Sequence, residues 1–308
     1  MAIDTTQAYP APTGAASAGA APVGTVIAPL SATARGCDRA FTLLAWACGL
    51  LGIALPLGIL GFLLVEGAPR LSIAFLTQAP AGFPLGRAGG VAPAIAGTLA
   101  LVAIGVAVAL PLGIAGAIGL VEYAPAESRW PRAVRFGAEC LAAVPAIVYG
   151  LFGFAVLVVA FAFKISLVAG GLTLGLMMLP IILIGAEEAM RSVEPSLREA
   201  GLSLGVSRFN VVRRIVLPKA MPGIMAATVL AGGHAAGSAA PVLFTASVAF
   251  ARGAPTLGAP VMTLPTHLYY IVSEGADLTQ AYATALVLIV GLLLANGCAA
   301  LIKRRLAR

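Results

Sequence analysis

Charge is scarce in this chain of 308 residues. Asp, Glu, Lys and Arg make up 10% of it, hydrophobic residues 60%, and the mean hydropathy is +1.01. An ordinary soluble domain carries about 25% charged residues. Nineteen basic and twelve acidic side chains cannot clothe a water-soluble surface of this size, so a soluble enzyme and a disordered protein are both excluded and an integral membrane protein is implied. Histidine is nearly absent, with only His234 and His267. The four cysteines, Cys37, Cys48, Cys140 and Cys298, form no CxxC or Cys/His ligand spacing. They read as small apolar fillers, and neither a metal centre nor a nucleophile–base pair is expected. No stretch fits the phosphate-binding pattern GxxxxGK[ST], so this chain supplies no ATP site of that type. No cofactor is expected. The net charge of +7 comes without a basic patch interleaved with aromatics, which argues against nucleic acid as a partner.

What is present is a set of long charge-free runs. Six are long enough for the roughly 20 residues that cross a bilayer as helix: 40–65, 88–121, 140–163, 165–186, 220–251 and 278–302. A seventh, 253–273, holds Pro255, Pro260 and Pro265. Each proline removes a backbone donor, and lipid offers no water in its place. That run is therefore expected as a loop outside the membrane, with a short interfacial helix and Tyr269–Tyr270 at headgroup level. With six spans and the N-terminus inside, fifteen of the nineteen basic residues face the cytoplasm. The remaining four are Arg70, Arg87, Lys164 and Arg252. The asymmetry puts both termini in the cytoplasm. Residues 1–39, mostly Ala, Gly, Pro, Ser and Thr, are expected as a disordered cytoplasmic tail, and 40–308 as one six-helix membrane domain.

Ten of the 31 charges fall between Glu187 and Lys219. Pro195 suits the first turn of a helix and Gly205 its end. Ser207 is placed to cap a second helix, with Phe209, Val212 and Ile215 on one face and Pro218 closing it. The expected product is two short helices at about right angles, a knob on the membrane surface able to dock a soluble partner. Glu122 and Glu139 are expected to pair with Arg129, Arg132 and Arg135 nearby. Glu187 and Glu188 are expected to face the cytoplasm, and Pro145 and Pro180 to kink their helices.

The string Glu199-Ala200-Gly201, three residues, Gly205, nine residues, Ile215-x-Leu217-Pro218 resembles the EAA-x3-G-x9-I-x-LP signature of permeases of binding-protein-dependent ABC importers. Only Gly201 departs, replacing alanine. The resemblance implies an all-α type I importer fold with six transmembrane helices. The segment at about 187–219, including Arg198, then holds a coupling helix that docks on a separate ATPase dimer. From about residue 71 onward the chain also resembles phosphate-specific permeases of the PstA type. The residues that carry this include Phe75-Leu76-Thr77, Gly97-Thr98-Leu99, Leu120-Val121-Glu122-Tyr123, Val144-Pro145, Tyr149-Gly150, Met178-Leu179-Pro180, Ala240-Pro241, Phe244-Thr245-Ala246 and Thr263-Leu264-Pro265. The implied setting is a bacterial plasma (inner) membrane. The implied partners are lipid, a second permease of the PstC type and an extracytoplasmic phosphate-binding protein. A permease is not itself an enzyme.

One segment departs from that family. Where the family reads close to Arg-x-x-Gly-Glu-Thr-Ala-Pro in span five, this chain reads His234-Ala-Ala-Gly237-Ser238-Ala239-Ala240-Pro241. His234, Ser238 and Thr245 are candidates for the translocation path. Three accounts stay open: the partner permease supplies the charged pair, the oxyanion differs, or the site is relaxed because the binding protein selects. His234 also fits a polar residue packed between helices. The alternative to a transporter is an accessory or sensory protein with a permease fold.

Overall fold

The computed structural model describes residues 32–82, 88–125, 129–251, 253–274 and 278–306. The chain divides into two compact units, 1–56 and 57–308. In the first, the described residues belong to one helix, α1 (Ala32–Gly67). From Asp38 to Pro56 every side chain is exposed, Phe41, Leu43, Leu44 and Trp46 among them. An apolar helix with no buried face needs lipid or protein around it.

The second unit follows α1 with α2 (Ile73–Thr77) and a two-stranded antiparallel hairpin, β1 (Pro80–Ala81) and β2 (Ala88–Gly89). Next come α3 (Ala92–Ile118), α4 (Trp130–Ala142), α5 (Ala146–Gly153) and α6 (Leu167–Arg191). After these lie α7 (Pro195–Ser203), α8 (Arg208–Val211) and α9 (Leu217–Gly237), then α10 (Ala240–Thr245), α11 (Leu264–Glu274) and α12 (Leu278–Leu306). Five described helices are long and apolar enough to cross a membrane, and six if the bent pair α4–α5 counts as one.

Helices α3 and α6 make the centre. Their glycines let the backbones close up: a Cβ on Gly105 would meet Met178 Sδ at 3.1 Å, and one on Gly175 the Gly105 carbonyl at 3.2 Å. Leu101, Leu174, Met178 and Ile182 fill the joint, with Ala231 and Ala235 of α9 and Val242 of α10 against them. Gly97 is the tightest point of α3, because any Cβ there would drive into the Met262 carbonyl oxygen and Val261. Backbone facing backbone cannot swing aside. Gly97→Val is therefore expected to lower the thermal midpoint and membrane level sharply, since overpacking costs about 1–3 kcal/mol even where neighbours adjust. Gly137→Ala on α4, where an added Cβ meets nothing within 4 Å, is the control. A stable Gly97→Val protein would refute the tight approach.

Four boundaries differ from the sequence reading, for related reasons. Charges mark where a helix leaves hydrocarbon, not where it stops hydrogen bonding. So α1 begins at Ala32 rather than 40, within the expected tail, whose residues 1–31 lie outside the described structure. Likewise α12 continues through Lys303, Arg304 and Arg305. Pro218 does not end a helix either. One continuous helical run covers Arg208–Gly237, and span five therefore starts earlier than 220 and breaks at Ser238–Ala239. A π-helical turn at Val212–Val216 lies just before the proline. The wider turn gives the ring room and absorbs the hydrogen bond that proline cannot make. Finally, the run 140–163 does not form one straight span. The helix axis turns by 97° between Ala142 and Ala146, with Pro145 at the N-cap of α5.

The seventh run does contain a short helix, α11, with Tyr269 half exposed and stacked edge-on against Tyr270 at 5.6 Å. Its other face, Thr266, His267 and Ile271, is fully buried, so it packs as part of the unit rather than only lying on a surface.

Candidate functional site

The segment after α6 is built as an exposed knob on a fixed base. Pro195 opens α7 behind Glu194, where its missing N–H costs nothing. Gly205 closes the turn after it at φ +74°, a region that favours glycine. Two bonds finish that end: the Gly205 N–H donates to Leu202 O at 3.0 Å and the Val206 N–H to Gly201 O at 3.3 Å. Together they satisfy carbonyls a helix end leaves open. Ser207 stands at the N-cap of α8, but its hydroxyl accepts from Asn210 Nδ2 at 3.0 Å instead of capping the backbone.

The motif residues sort into two groups. Glu199, Ala200, Gly205 and Pro218 are exposed, and beside them so are Leu204 at 82% and Phe209 at 62%. Gly201 is buried, and Ile215 and Leu217 are half-buried. A Cβ on Gly201 would press Val211 Cγ2 at 3.0 Å and Ile215 Cδ1 at 3.2 Å. The one departure from the importer signature thus fits the bulky pair beneath it. Under the knob, Val193, Val211, Val212, Val216 and Met190 form an apolar cluster with Ala117 of α3.

Arg198 is the fixing point. Its Nε donates to Glu122 Oε1 at 3.0 Å, Nη1 to Val193 O at 2.8 Å and Nη2 to Met190 O at 2.6 Å. Glu122, on the π-helical turn Gly119–Tyr123 that extends α3, is only 6% exposed. The expected local pairing of Glu122 with Arg129, Arg132 or Arg135 is thus replaced by a pair 76 residues apart in sequence. Next to it, the Arg208 guanidinium lies 5.8 Å from the centre of the Tyr123 ring, within range of a cation–π contact.

Glu139 does pair with Arg135, at 3.0 Å. Glu187 does not face solvent as expected: it is 2% exposed and accepts from Arg191 at 2.9 Å and Arg135 at 3.4 Å. Glu188, one residue on, is exposed. The helical period turns the two carboxylates to different sides of α6, a difference that a run of two acids in sequence does not show.

The three path candidates are not gathered in one place. His234 is exposed on α9. Ser238, at the break between α9 and α10, donates to His234 O at 3.0 Å. It lines a niche of about 10 Å³ with Thr98, Thr263 and Pro265, which includes neither His234 nor Thr245. Thr98 there donates to Ala94 O and accepts from the Leu264 N–H at 2.9 Å. Thr245 is fully buried beside Gly170 and donates to Pro241 O at 2.7 Å.

Sequence reasoning did not single out His267 or Gln280. Both are buried, and the His267 ring nitrogens and the Gln280 amide have no hydrogen-bond partner among the described residues. Burial pushes His267 down to about 4, so its ring is neutral at pH 7. Nothing in a proline-rich run announces a buried imidazole.

A bundle of apolar helices around α3 and α6, carrying an exposed two-helix knob between spans four and five, defines a multi-pass membrane permease of the importer class. Comparison with known proteins agrees. Residues 109–308 match the family of binding-protein-dependent transport system inner membrane components, and the chain belongs to that family. It is 35% identical over 218 residues to the phosphate transport system permease protein PstA 1 of Mycobacterium tuberculosis, covering 70% of this chain and 71% of that one. It is 32% identical to PstA of Yersinia pestis, covering 84% and 87%. It is 29% identical to the probable ABC transporter permease protein YqgI of Bacillus subtilis, covering 77% and 84%. Among solved structures, a bacterial ABC transporter that imports the polysaccharide alginate aligns over 89% of this chain and 97% of its own, with a TM-score of 0.60 at 16% identity. The inward-facing methionine transporter MetNI aligns over 71% and 95%, with a TM-score of 0.58 at 20% identity. These likenesses establish the shared fold.

Proposed function

We propose that this chain is the permease subunit of an ATP-driven importer of inorganic phosphate in a bacterial plasma membrane, with both termini in the cytoplasm. The observation that carries the reading is the knob: the signature Glu199-Ala200-Gly201…Gly205…Ile215-x-Leu217-Pro218 presents exposed Glu199, Leu204 and Phe209 around a turn fixed by Gly205. Such a surface suits the groove of a separate ATPase dimer. Phosphate is supported by the relatives named as phosphate transport permeases. A second, PstC-type permease and an extracytoplasmic phosphate-binding protein complete the proposed assembly, in which closure of the ATPase pair rocks the two permeases between inward- and outward-facing states.

The test is reconstitution of the chain with those partners in liposomes. ATP-dependent phosphate entry that disappears when the binding protein is left out is the expected result. Entry of another oxyanion at phosphate's expense would favour the second reading, which rests on the charge-free stretch from Ala220 to Ala251. His234→Ala is expected to slow uptake about two- to tenfold, the worth of one neutral hydrogen bond of about 0.5–1.5 kcal/mol. Unchanged uptake would make His234 a packing residue and remove it from the path.

A further inference from the structure

The loop is joined covalently to α6 on one side and to α9 on the other. Any force on it therefore reaches those two helices through the backbone. Helix α3 has no such connection, yet it is the element packed most closely on α6, and it ends beneath the loop. It follows a moving loop only if something grips it there.

Two grips are present, on adjacent residues of one turn. Arg198 of α7 holds Glu122 at 3.0 Å. Arg208 of α8 covers Tyr123. Each of the two helices on either side of Gly205 thus holds the end of α3 with one cation. The Arg198 side chain is spent entirely on this joint, since its other two nitrogens tie the carbonyls of Met190 and Val193 at the end of α6. The gripped turn also departs from the rest of α3. Buried positions on α3 run in steps of four through Gly97, Leu101, Gly105, Ala109, Gly113 and Ala117. At Gly119–Tyr123 the helix then widens to π geometry, with Leu120 and Glu122 buried.

The other end of α3 reaches the break in span five. Thr98, in the second turn, lines the niche beside Ser238 and accepts the Leu264 N–H, and Gly97 abuts Met262. The 32 residues from Ala92 to Tyr123 span about 48 Å at 1.5 Å per residue. One helix therefore carries the loop's two grips at one end and, at the other, Thr98, whose hydroxyl accepts the Leu264 N–H in the niche beside Ser238.

We propose that the π turn at Glu122–Tyr123 receives the movement of the coupling loop, and that α3 carries it as a rod to the Ser238 break. Glu122 and Arg198 are positioning residues in this scheme, acting through α3 on the path. The inference rests on the importer reading proposed above, and the experiment separates the rod from the phosphate cargo of that reading.

The chain is assembled with the ATPase dimer, partner permease and binding protein. It carries Leu99→Cys on the exposed side of α3, with the four native cysteines replaced by serine. An environment-sensitive fluorophore on residue 99 reports emission on trapping ATP with vanadate, and phosphate entry is measured in parallel. Glu122→Leu is expected to cut the emission change at least fivefold while ATP is still hydrolysed, Glu122→Gln to cut it partly, and Glu139→Gln, an exposed pair on α4, to leave it unchanged. A full response in Glu122→Leu overturns the proposal. Should Glu122→Leu fail to assemble, Glu122→Gln combined with Tyr123→Leu decides by the same criterion, a full response overturning it and a fivefold loss upholding it. A normal emission change without phosphate entry in the parent chain sinks phosphate as the cargo and leaves the rod standing. Normal phosphate entry with a full response in Glu122→Leu does the reverse.

Discussion

Gly205→Pro is expected to abolish ATP-driven uptake while the chain stays in the membrane at its normal level. Gly205 sits at φ +74°, and proline is locked near −65°, so the turn between α7 and α8 cannot form as it stands. Proline also lacks the N–H that donates to Leu202 O at 3.0 Å. The knob would lose the relative placement of the exposed Glu199, Leu204 and Phe209, the surface proposed to meet the ATPase. The position isolates this effect well. Gly205 is exposed, and an added Cβ there meets nothing within 4 Å, so the substitution inserts no bulk into the bundle. Gly205→Ala separates conformation from hydrogen bonding: it keeps the N–H and pays only the left-handed backbone cost, about 1–2 kcal/mol. It should retain partial uptake. The measurement is phosphate entry into proteoliposomes set against membrane level and ATPase co-purification. Uptake at the parent rate in Gly205→Pro would remove the turn from the coupling role.

The two-helix knob was legible because its information is local. Pro195 and Gly205 each act within a turn or two of chain, and the structure places α7 and the left-handed turn where those residues require. The spans were legible for the same reason, as charge-free runs, but only to within the difference between a membrane boundary and a helix end. Ala32–Arg39 shows that difference plainly, since polar and charged residues there prolong α1 past the hydrocarbon limit. Pro218 shows another limit. A proline stops a regular helix, yet a π turn placed just ahead of it lets the helix continue, and no single residue signals that turn. What the sequence hid entirely was pairing at a distance. Glu122 has three arginines within thirteen residues and binds none of them in the structure, because the bundle sets it against Arg198. The same tertiary packing turns Glu187 inward and encloses His267, and neither outcome has a local signature.

Glu187 yields the second large effect. It is 2% exposed, and its Oε1 is held by Arg191 from the next turn of α6 and by Arg135 from α4. Arg135 also reaches Glu139 at 3.0 Å and Glu188 at 3.9 Å, so the cluster ties α4 to α6 just where the chain approaches the loop. Either arginine alone can keep the carboxylate paired. Arg135→Ala and Arg191→Ala are each expected to cost about 1 kcal/mol, the upper end for partly exposed pairs. Removing both strands a buried charge. Stranding one fully buried partner costs about 3–5 kcal/mol. Since Arg135 and Arg191 are 38% and 53% exposed, water already screens part of the interaction, and the lower end applies. A loss of about 3 kcal/mol corresponds to a fall of roughly 6–12 °C in the thermal midpoint of a domain this size, read by unfolding of the purified protein in detergent. The double variant should therefore fall further than the two singles combined, which is the signature of shared support for one group. Adding Glu187→Gln to the double variant should recover most of the loss, because a neutral amide needs no counter-ion. Additive single effects, or a triple variant no more stable than the double, would show that Glu187 is not the group these arginines sustain.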